Sequence, residues 1–594
     1  MEVTCRRRDG DGCGPVVVVV VVARNRTPCD PVGLDFRAKS PMPRPSCESV
    51  SQNLQCYARR KRSQHVRDES TKGFLRCDTK KRVQDMINAF DENCEEIKNV
   101  VMINCGGTLD LVELLRPDES VIFFILDSHR PYDLCNIYSE SQICILGKPD
   151  EDDEIPEYND IFRDDSSDEE DANEESDSEN ENRQSKRRRL NEEDILRRSE
   201  RRKWVENRET ILFNYLQYSY YGKSSAIVVF EMAWNMSKDN LDMAWWAIVG
   251  STEQSILTKI ESRIAVLEEG SLQAHVSRLT HRQGIDVDKQ QQQQSIVKVT
   301  YDKDLQLALY RHWTVEASLK YSMSTAVSLR LWSIRGEQRL KEVLAEMGLP
   351  LVQSRQLFRA MDLTFRQEFR QMVEKLAGKY NVNSIIGTSF TLQYGYRFKY
   401  CASDMVYAML ALLDSTTKDR QPQRCFLDAL DCLSRTKKDI LESGIEKAKL
   451  MLHNIFKTAQ SILEAKQVKN FGSFLYLNVP DGNIDTYLFA HPHPLIMLAQ
   501  FALKAYVNSS RNRRASEWPL VASAVFSTEE GSCLLVGIPP VCEDQPRSLF
   551  GKAFEQTAKN KNCYIEPDYF DSTIIRLKIE ERPKFLDALA ALLA

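Results

Sequence analysis

The stretch VIFFILDSHRPYDL, Val121 to Leu134, decides how the first part of this chain is read. Apolar residues run unbroken from Val121 to Leu126 and then give way to Asp127, Ser128, His129, Arg130 and Pro131. A short apolar run with polar residues at its carboxyl end predicts a buried strand of an open α/β sheet, delivering side chains to the edge where such sheets bind ligands. Taken alone, Asp127 and His129 support two readings. A carboxylate and an imidazole at a strand end suit Mn²⁺ or Mg²⁺ and the activation of water for phosphoester hydrolysis. They equally suit an aspartate that caps the following turn and a histidine that packs or hydrogen-bonds locally. Two ligands do not make a two-metal site. The preceding strand ends in Asn104, Cys105 and Gly106, where an amide is a neutral substitute for a bridging carboxylate.

Outward from this stretch the pattern is regular. KKRVQDMINAFDENCEEI places Val83, Met86, Ile87 and Phe90 at helical spacing. NVVMINCGG reads as a buried strand with a glycine turn, LDLVELL as a short helix and SQICILG as a further strand. Wholly apolar strands alternating with helices predict a parallel sheet covered on both faces. Upstream, residues 1 to about 75 are low in complexity and read as disordered. Their valine run, Val16 to Val22, is far too short to span a bilayer.

Downstream, DEDDEIPEYNDIFRDDSSDEEDANEESDSENEN reads as a solvated acidic linker, with Ser166, Ser167, Ser176 and Ser178 in an acidic context that some kinases prefer. The run Lys186, Arg187, Arg188, Arg189 is a nuclear-import candidate. Asn191, followed by Glu192, Glu193 and Asp194, starts a long basic helix. Dense apolar helices follow and end at Gly250, and residues from about 265 to 385 read as mainly helical. The remainder mixes helices with strands such as SCLLVGIPP and STIIRLKI, and closes on the amphipathic helix RPKFLDALAALLA.

Composition narrows the function classes. Of 594 residues, 42% are hydrophobic and 28% charged, an ordinary soluble balance with net charge -6. The 16 cysteines form no CxxC pair, which argues against zinc ribbons and disulfide frameworks and for reduced thiols. No P-loop and no GxSxG elbow is present. His491 and His493 in HPHPL lack a nearby acidic or cysteine partner in sequence and read as a surface turn. In SFTLQYGYRFKYCASD, Phe390, Leu392, Tyr394, Tyr396, Phe398 and Tyr400 alternate with polar residues that include Arg397 and Lys399. That alternation suits a half-buried strand with its aromatics in the core. It also suits an aromatic row beside a cationic track for single-stranded DNA. Arg511, Arg513 and Arg514 form a second basic cluster, and Arg397, Lys399 and Arg513 are the phosphate-contact candidates.

The order MINCGG, LLRPDESVIFFILDSHRP, acidic linker, basic helix and WWAIVGSTEQ resembles the cell division control protein 45 family of eukaryotic replication factors. LYRHWTVEASL, LWSIRGEQRLKEVLAEMGLPL, FRAMDL, LQYGYRFKYCASD, LVGIPP, FGKAFEQTA and RPKFLDALAALL extend the resemblance over roughly residues 80 to 594. That family is similar to the RecJ-like DHH phosphoesterases, whose Asp-His-His motif lies at a strand end. Asp127, Ser128 and His129 stand at those positions, with the first histidine replaced, and Asn104 stands where an aspartate is expected. Gly250 and Thr252 resemble the glycine-threonine motif, but Glu253 and Gln254 follow in place of its aspartate. The first motif and the glycine-rich histidine motif are not found. Residues 1 to about 75 do not resemble the family's first strand and helix, an expectation of an alternative first exon or an incorrect 5′ end.

The resemblance implies an α/β fold: a DHH-type parallel sheet with flanking helices, a mainly helical insertion and a C-terminal α/β, DHHA1-like domain. The implied organisation is an atypical segment 1–78, a DHH-like part 79–149, a linker 150–190, completion of that domain over 191–265, a helical interaction domain 266–388 and a C-terminal domain 389–594. It further implies an inactivated enzyme fold with no catalytic residue, metal or cofactor, in which Asn104, Asp127, Ser128 and His129 are remnants. The implied role is a nuclear, non-catalytic subunit of the replicative helicase. Its partners would be the minichromosome-maintenance ring, the GINS complex, origin-firing and fork factors and single-stranded DNA, with no membrane. A metal-dependent phosphoesterase or single-strand exonuclease, and an acidic histone-binding adaptor, are the alternatives.

Overall fold

The computed structural model describes residues 19–24, 74–76, 87, 90, 97–139, 141–147, 154–163, 192–287, 297–380, 382, 385–394, 398–414, 422–480, 486–510, 512–541, 546–561, 563–566 and 570–594. The chain divides into two compact units, residues 148–218 and the remainder.

In the larger unit the first sheet is built from β1 (Val19–Arg24), β2 (Phe74–Arg76), β3 (Ile97–Ile103), β4 (Ile122–Leu126) and β6 (Ile143–Ile145) in the order β2-β1-β3-β4-β6. β3, β4 and β6 are parallel, as the apolar runs predict. Helices α1 (Leu111–Leu115) and α2 (Leu134–Tyr138) make the crossovers. Side chains of β4 alternate between two cores, Phe123 and Ile125 on one face and Phe124 and Leu126 on the other. The valine run differs from its expected disorder, because β1 pairs antiparallel with β3 from Val19↔Ile103 to Val22↔Val100. A β-branched run favours the strand conformation, and the flank of β3 offers backbone groups that need partners. The rest of residues 1–78 lies outside the described residues, and of the first expected helix only Ile87 and buried Phe90 are described.

Between α3 (Ser225–Asn235) and α4 (Leu241–Ile256) the backbones come close. A Cβ on Gly250 would lie 2.6 Å from Ala226 Cβ, so this glycine sits in mid-helix to admit α3 and does not end α4. The helix runs six residues further than expected for that reason, to Ile256.

After α5 (Ser262–Val287), β8 (Val297–Leu305) pairs antiparallel with β9 (Ile386–Tyr394), which pairs in turn with β10 (Phe398–Cys401). The expected boundary at 388/389 falls inside β9. The strand alternation of VKVTYDKDL, in a segment that reads as helical, has no visible partner in the local sequence. Helices fill the interval between β8 and β9. The aromatic strand keeps its core reading: Phe390, Leu392, Tyr394 and Tyr400 are buried.

The last sheet runs β11 (Lys469–Asn470), β12 (Leu475–Asn478), β13 (Leu520–Ser527), β14 (Ser532–Ile538), β16 (Ile574–Lys578), β15 (Ile565–Glu566), with β12–β13 its parallel pair. Helix α6 (Pro492–Ser509) joins that parallel pair, and Phe550, Phe554 and Phe585 from the last two helices bury the other face. His491 and His493 open α6 in the interior, which corrects the surface-turn reading. Asp414, remote in sequence, places Oδ2 3.6 Å from His493 Nδ1 and supplies the acidic partner that local sequence lacks.

In the 148–218 unit, the short helix Tyr158–Ile161 packs on the basic helix Glu192–Leu216. Trp204 Nε1 donates to Asn159 O at 3.2 Å and Arg208 Nε to Ile161 O at 2.8 Å. The basic helix is therefore grouped with the segment before it. The import candidates Lys186 to Arg189 and the acidic-context serines lie outside the described residues. No helix among the described residues is long and apolar enough to cross a membrane.

Candidate functional site

β3 and β4 end side by side, so Asn104 and Asp127 arrive at one edge of the first sheet. Asn104 turns into the left-handed region at φ 56°, a conformation asparagine tolerates, and its N–H donates to Leu126 O at 2.6 Å. The glycines after it are required by the approach of the next strand. Gly106 has φ 84°, and a Cβ on Gly107 would meet the Tyr132 ring at 2.6 Å and Asp127 Cβ at 3.1 Å. This closeness lets Gly107 N donate to Asp127 Oδ2 at 2.9 Å.

The other oxygen of Asp127 accepts from His129 N at 3.0 Å and lies 2.7 Å from His129 Nδ1. Tyr132 Oη and Arg130 donate to the carbonyl of Asp127 at 2.6 and 2.9 Å. Ser128 Oγ donates to Asn104 Oδ1 at 2.6 Å. Asp127 and His129 are 4% and 6% exposed, so these bonds are made away from bulk water. Burial pushes the Asp127 carboxyl upward, but the adjacent imidazole and the donated hydrogen bonds outweigh it and hold the pKa below the ordinary value. Burial likewise opposes the His129 imidazolium. Asp127, and beyond it Asp571, outweigh that penalty and raise its pKa. The pair is a charged, closed knot.

The surroundings close it further. β5 (His129–Arg130) pairs with β7 (Tyr220–Tyr221), and Gly222 N donates to Ser128 O at 2.8 Å. The Tyr221 ring packs 5.2 Å from that of His129, and its hydroxyl donates to Asp571. Burial and that carboxylate lift the Tyr221 pKa well above its usual value. Ser219 exchanges backbone bonds with Ser548, both 2.8 Å, so residues 219–222 strap the edge of the first sheet to the C-terminal part of the same unit. Lys259 pairs with Glu253 at 2.9 Å and sits 4.9 Å from the centre of the Tyr221 ring. The cavity left between these parts, lined by His129, Arg130, Tyr220, Lys259, Asp571 and others, has a volume of about 70 Å³, room for a few waters and not for a nucleotide.

The glycine-threonine remnant lies inside α4 and does not face this edge as a loop. Thr252 Oγ1 bonds back to Ile248 O at 2.7 Å, Glu253 is held by Lys259, and Gln254 Nε2 donates to Gly222 O at 3.2 Å. The DHH resemblance implies divalent metal at such a site. The donors present do not fit one: both Asp127 oxygens are engaged by protein donors, Asn104 is neutral, and Ser128 Oγ is turned to Asn104. Elsewhere, Asp110, Asp133 and Cys135 cluster, but Asp110 and Asp133 are caps of α1 and α2. Gly107, Tyr132, Tyr221 and Asp571 complete the knot, and sequence reasoning misses them. The Gly-Gly after a strand is a visible signal for the first, whereas Tyr221 and Asp571 lie 350 residues apart and carry none.

Of the phosphate candidates, Lys399 is exposed on β10. Arg397 lies outside the described residues, as does the side chain of Arg513. The site residues and the lysine are thus on different sheets.

The fold and site define an α/β protein whose strand-end polar cluster is turned inward on itself. A family model, CDC45, matches residues 78–184 and 150–592. The chain is 42% identical over 515 residues to the cell division control protein 45 homolog of Mus musculus, covering 86% of this chain and 90% of the relative. With the Homo sapiens homolog the identity is 42% over 516 residues, covering 86% and 90%. The crystal structure of CDC45 from Entamoeba histolytica shares the fold, with TM-score 0.58 at 22% identity over 86% of this chain and 88% of that one. The chain belongs to the cell division control protein 45 family. It is accordingly a DNA replication factor of the cell cycle.

Proposed function

We propose that the chain is a non-catalytic subunit of the eukaryotic replicative DNA helicase. It bridges the minichromosome-maintenance ring and the GINS complex at initiation and during fork progression, and it binds single-stranded DNA. The observation that carries the non-catalytic part is the saturation of Asp127, whose two carboxylate oxygens are filled by Gly107 and His129. A carboxylate so engaged has to break about three hydrogen bonds before it can hold a metal, at roughly 1 kcal/mol or more each. Family membership supports the helicase role. The helical middle region is the proposed docking surface for the ring, and the place of action is the nucleus, with Lys186, Arg187, Arg188 and Arg189 as the import signal.

The test is reconstitution. Purified full chain, minichromosome-maintenance ring and GINS are mixed and passed over a sizing column. Co-elution of all three, lost when this chain is omitted, is expected. Separate elution of the chain under every order of addition would sink the bridging role.

A further inference from the structure

The strand pairing brings together, in the end row of one face of the three-stranded sheet, side chains that lie about a hundred residues apart in sequence. Lys298 of β8 and Lys399 of β10 both pair in register with Gln393 of the central strand β9. All three therefore point to the same face, while Val297, Tyr394 and Phe398 in the adjacent row point to the core side. The two lysines stand two strands apart, about 10 Å. Both are exposed, and neither makes an ion pair among the described residues. A sheet that only needed solubility has a cheap remedy, an opposite charge directly across. Here each lysine faces a neutral amide, and the nearest acid on this face of β8, Asp302, is two rows further along.

The cleft between the first and last sheets is lined by cations that are committed. Arg130 is spent on the carbonyls of Asp127 and His129, and Lys259 is paired with Glu253. Its cavity is too small for a nucleotide.

We infer that the row Lys298–Gln393–Lys399 is the phosphate track for single-stranded DNA, and that the strand does not run through the cleft. The ligand class follows from the chemistry. Point charges without acidic partners suit sequence-independent backbone contact, and Phe390, Tyr394 and Tyr400, the buried aromatics of these strands among the described residues, are not offered to bases. The inference rests on the single-strand binding in the proposed function and assigns its place.

The test uses the full chain and a fluorescein-labelled thirty-base oligothymidylate, with affinity followed by anisotropy over a range of salt. Lys298→Gln/Lys399→Gln is expected to weaken binding by about five- to tenfold near 0.1 M salt. It should also reduce the slope of log affinity against log salt by about 1.4, at about 0.7 for each phosphate no longer neutralised. Lys259→Gln, in the cleft, is expected to leave the slope unchanged. If the wild-type chain binds with a clear salt slope and the double variant keeps it, the assignment is overturned while DNA binding stands. If Lys259→Gln loses the slope instead, the strand lies in the cleft and the inference is wrong. A wild-type chain that does not bind the oligonucleotide overturns the single-strand reading itself, and the track with it.

Discussion

Two polar regions of this molecule treat charge in opposite ways. At the end of β4 the charges of Asp127 and His129 are buried, paired and supplied with backbone donors. In the end row of the β8–β9–β10 sheet the charges of Lys298 and Lys399 are exposed and face an amide. The first arrangement gains its energy within the chain and has nothing left to offer a ligand. The second gains nothing within the chain and keeps its charge available. Ancestry and present use are thereby separated. The region that resembles a phosphoesterase motif is internal architecture, and the region proposed as the phosphate track is the one that keeps its charge exposed.

The contrast is broken most severely by Asp127→Ala. Removing one partner of a buried ion pair leaves the other charged and unpaired, at a cost of about 3–5 kcal/mol. Urea unfolding of the full chain is expected to show that loss, and a change under about 1 kcal/mol would mean the knot is not holding the strand ends.

A smaller effect is expected from pH. The pKa of His129 is raised in the folded chain above its ordinary 6.5, so its contribution is complete below that value and fades as pH rises through the folded pKa. Asp127, lowered from 3.8, works in the other direction: its contribution is present above 3.8 and is lost as pH falls through the folded value. The stability difference between wild type and His129→Gln should therefore shrink as pH rises from about 6.5 through the folded pKa. The loss is about 1.4 kcal/mol for every pH unit by which the folded imidazole outlasts the unfolded one in its charged form. A difference that stays flat over this range would show that the imidazole is not charged in the fold. The smallest effect belongs to Lys298→Gln/Lys399→Gln, which should change stability by no more than about 0.5 kcal/mol. A larger loss would mean that these lysines are structural and would erase the distinction between the two regions.

Much of the first region is legible in the sequence because its determinants are local. The apolar run of β4, the strand before it and the short helix between them follow from residue type alone, and so does the placing of Asn104, Asp127, Ser128 and His129 at one edge. Tyr221 and Asp571 close the site through hydrogen bonds between distant segments, for which a single sequence has no pattern. The same cause hides the partner of His493, since Asp414 lies in another helix segment, and hides β8, whose alternation has meaning only beside β9. Gly250 departs from its expected role for a related reason. A glycine that ends a helix and one that admits a neighbouring helix look alike until Ala226 is seen 2.6 Å from where its Cβ would stand. Lys399 is visible as a candidate in the sequence, but Lys298 joins it only through the register.

The central claim is that the strand-end cluster is architecture and not a metal-dependent catalyst. The most direct measurement incubates the purified chain with end-labelled single-stranded DNA and Mn²⁺, beside Asp127→Asn, and follows nucleotide release. No release above that of the variant is expected. Mn²⁺-dependent release by the wild-type chain that disappears in Asp127→Asn would contradict the claim.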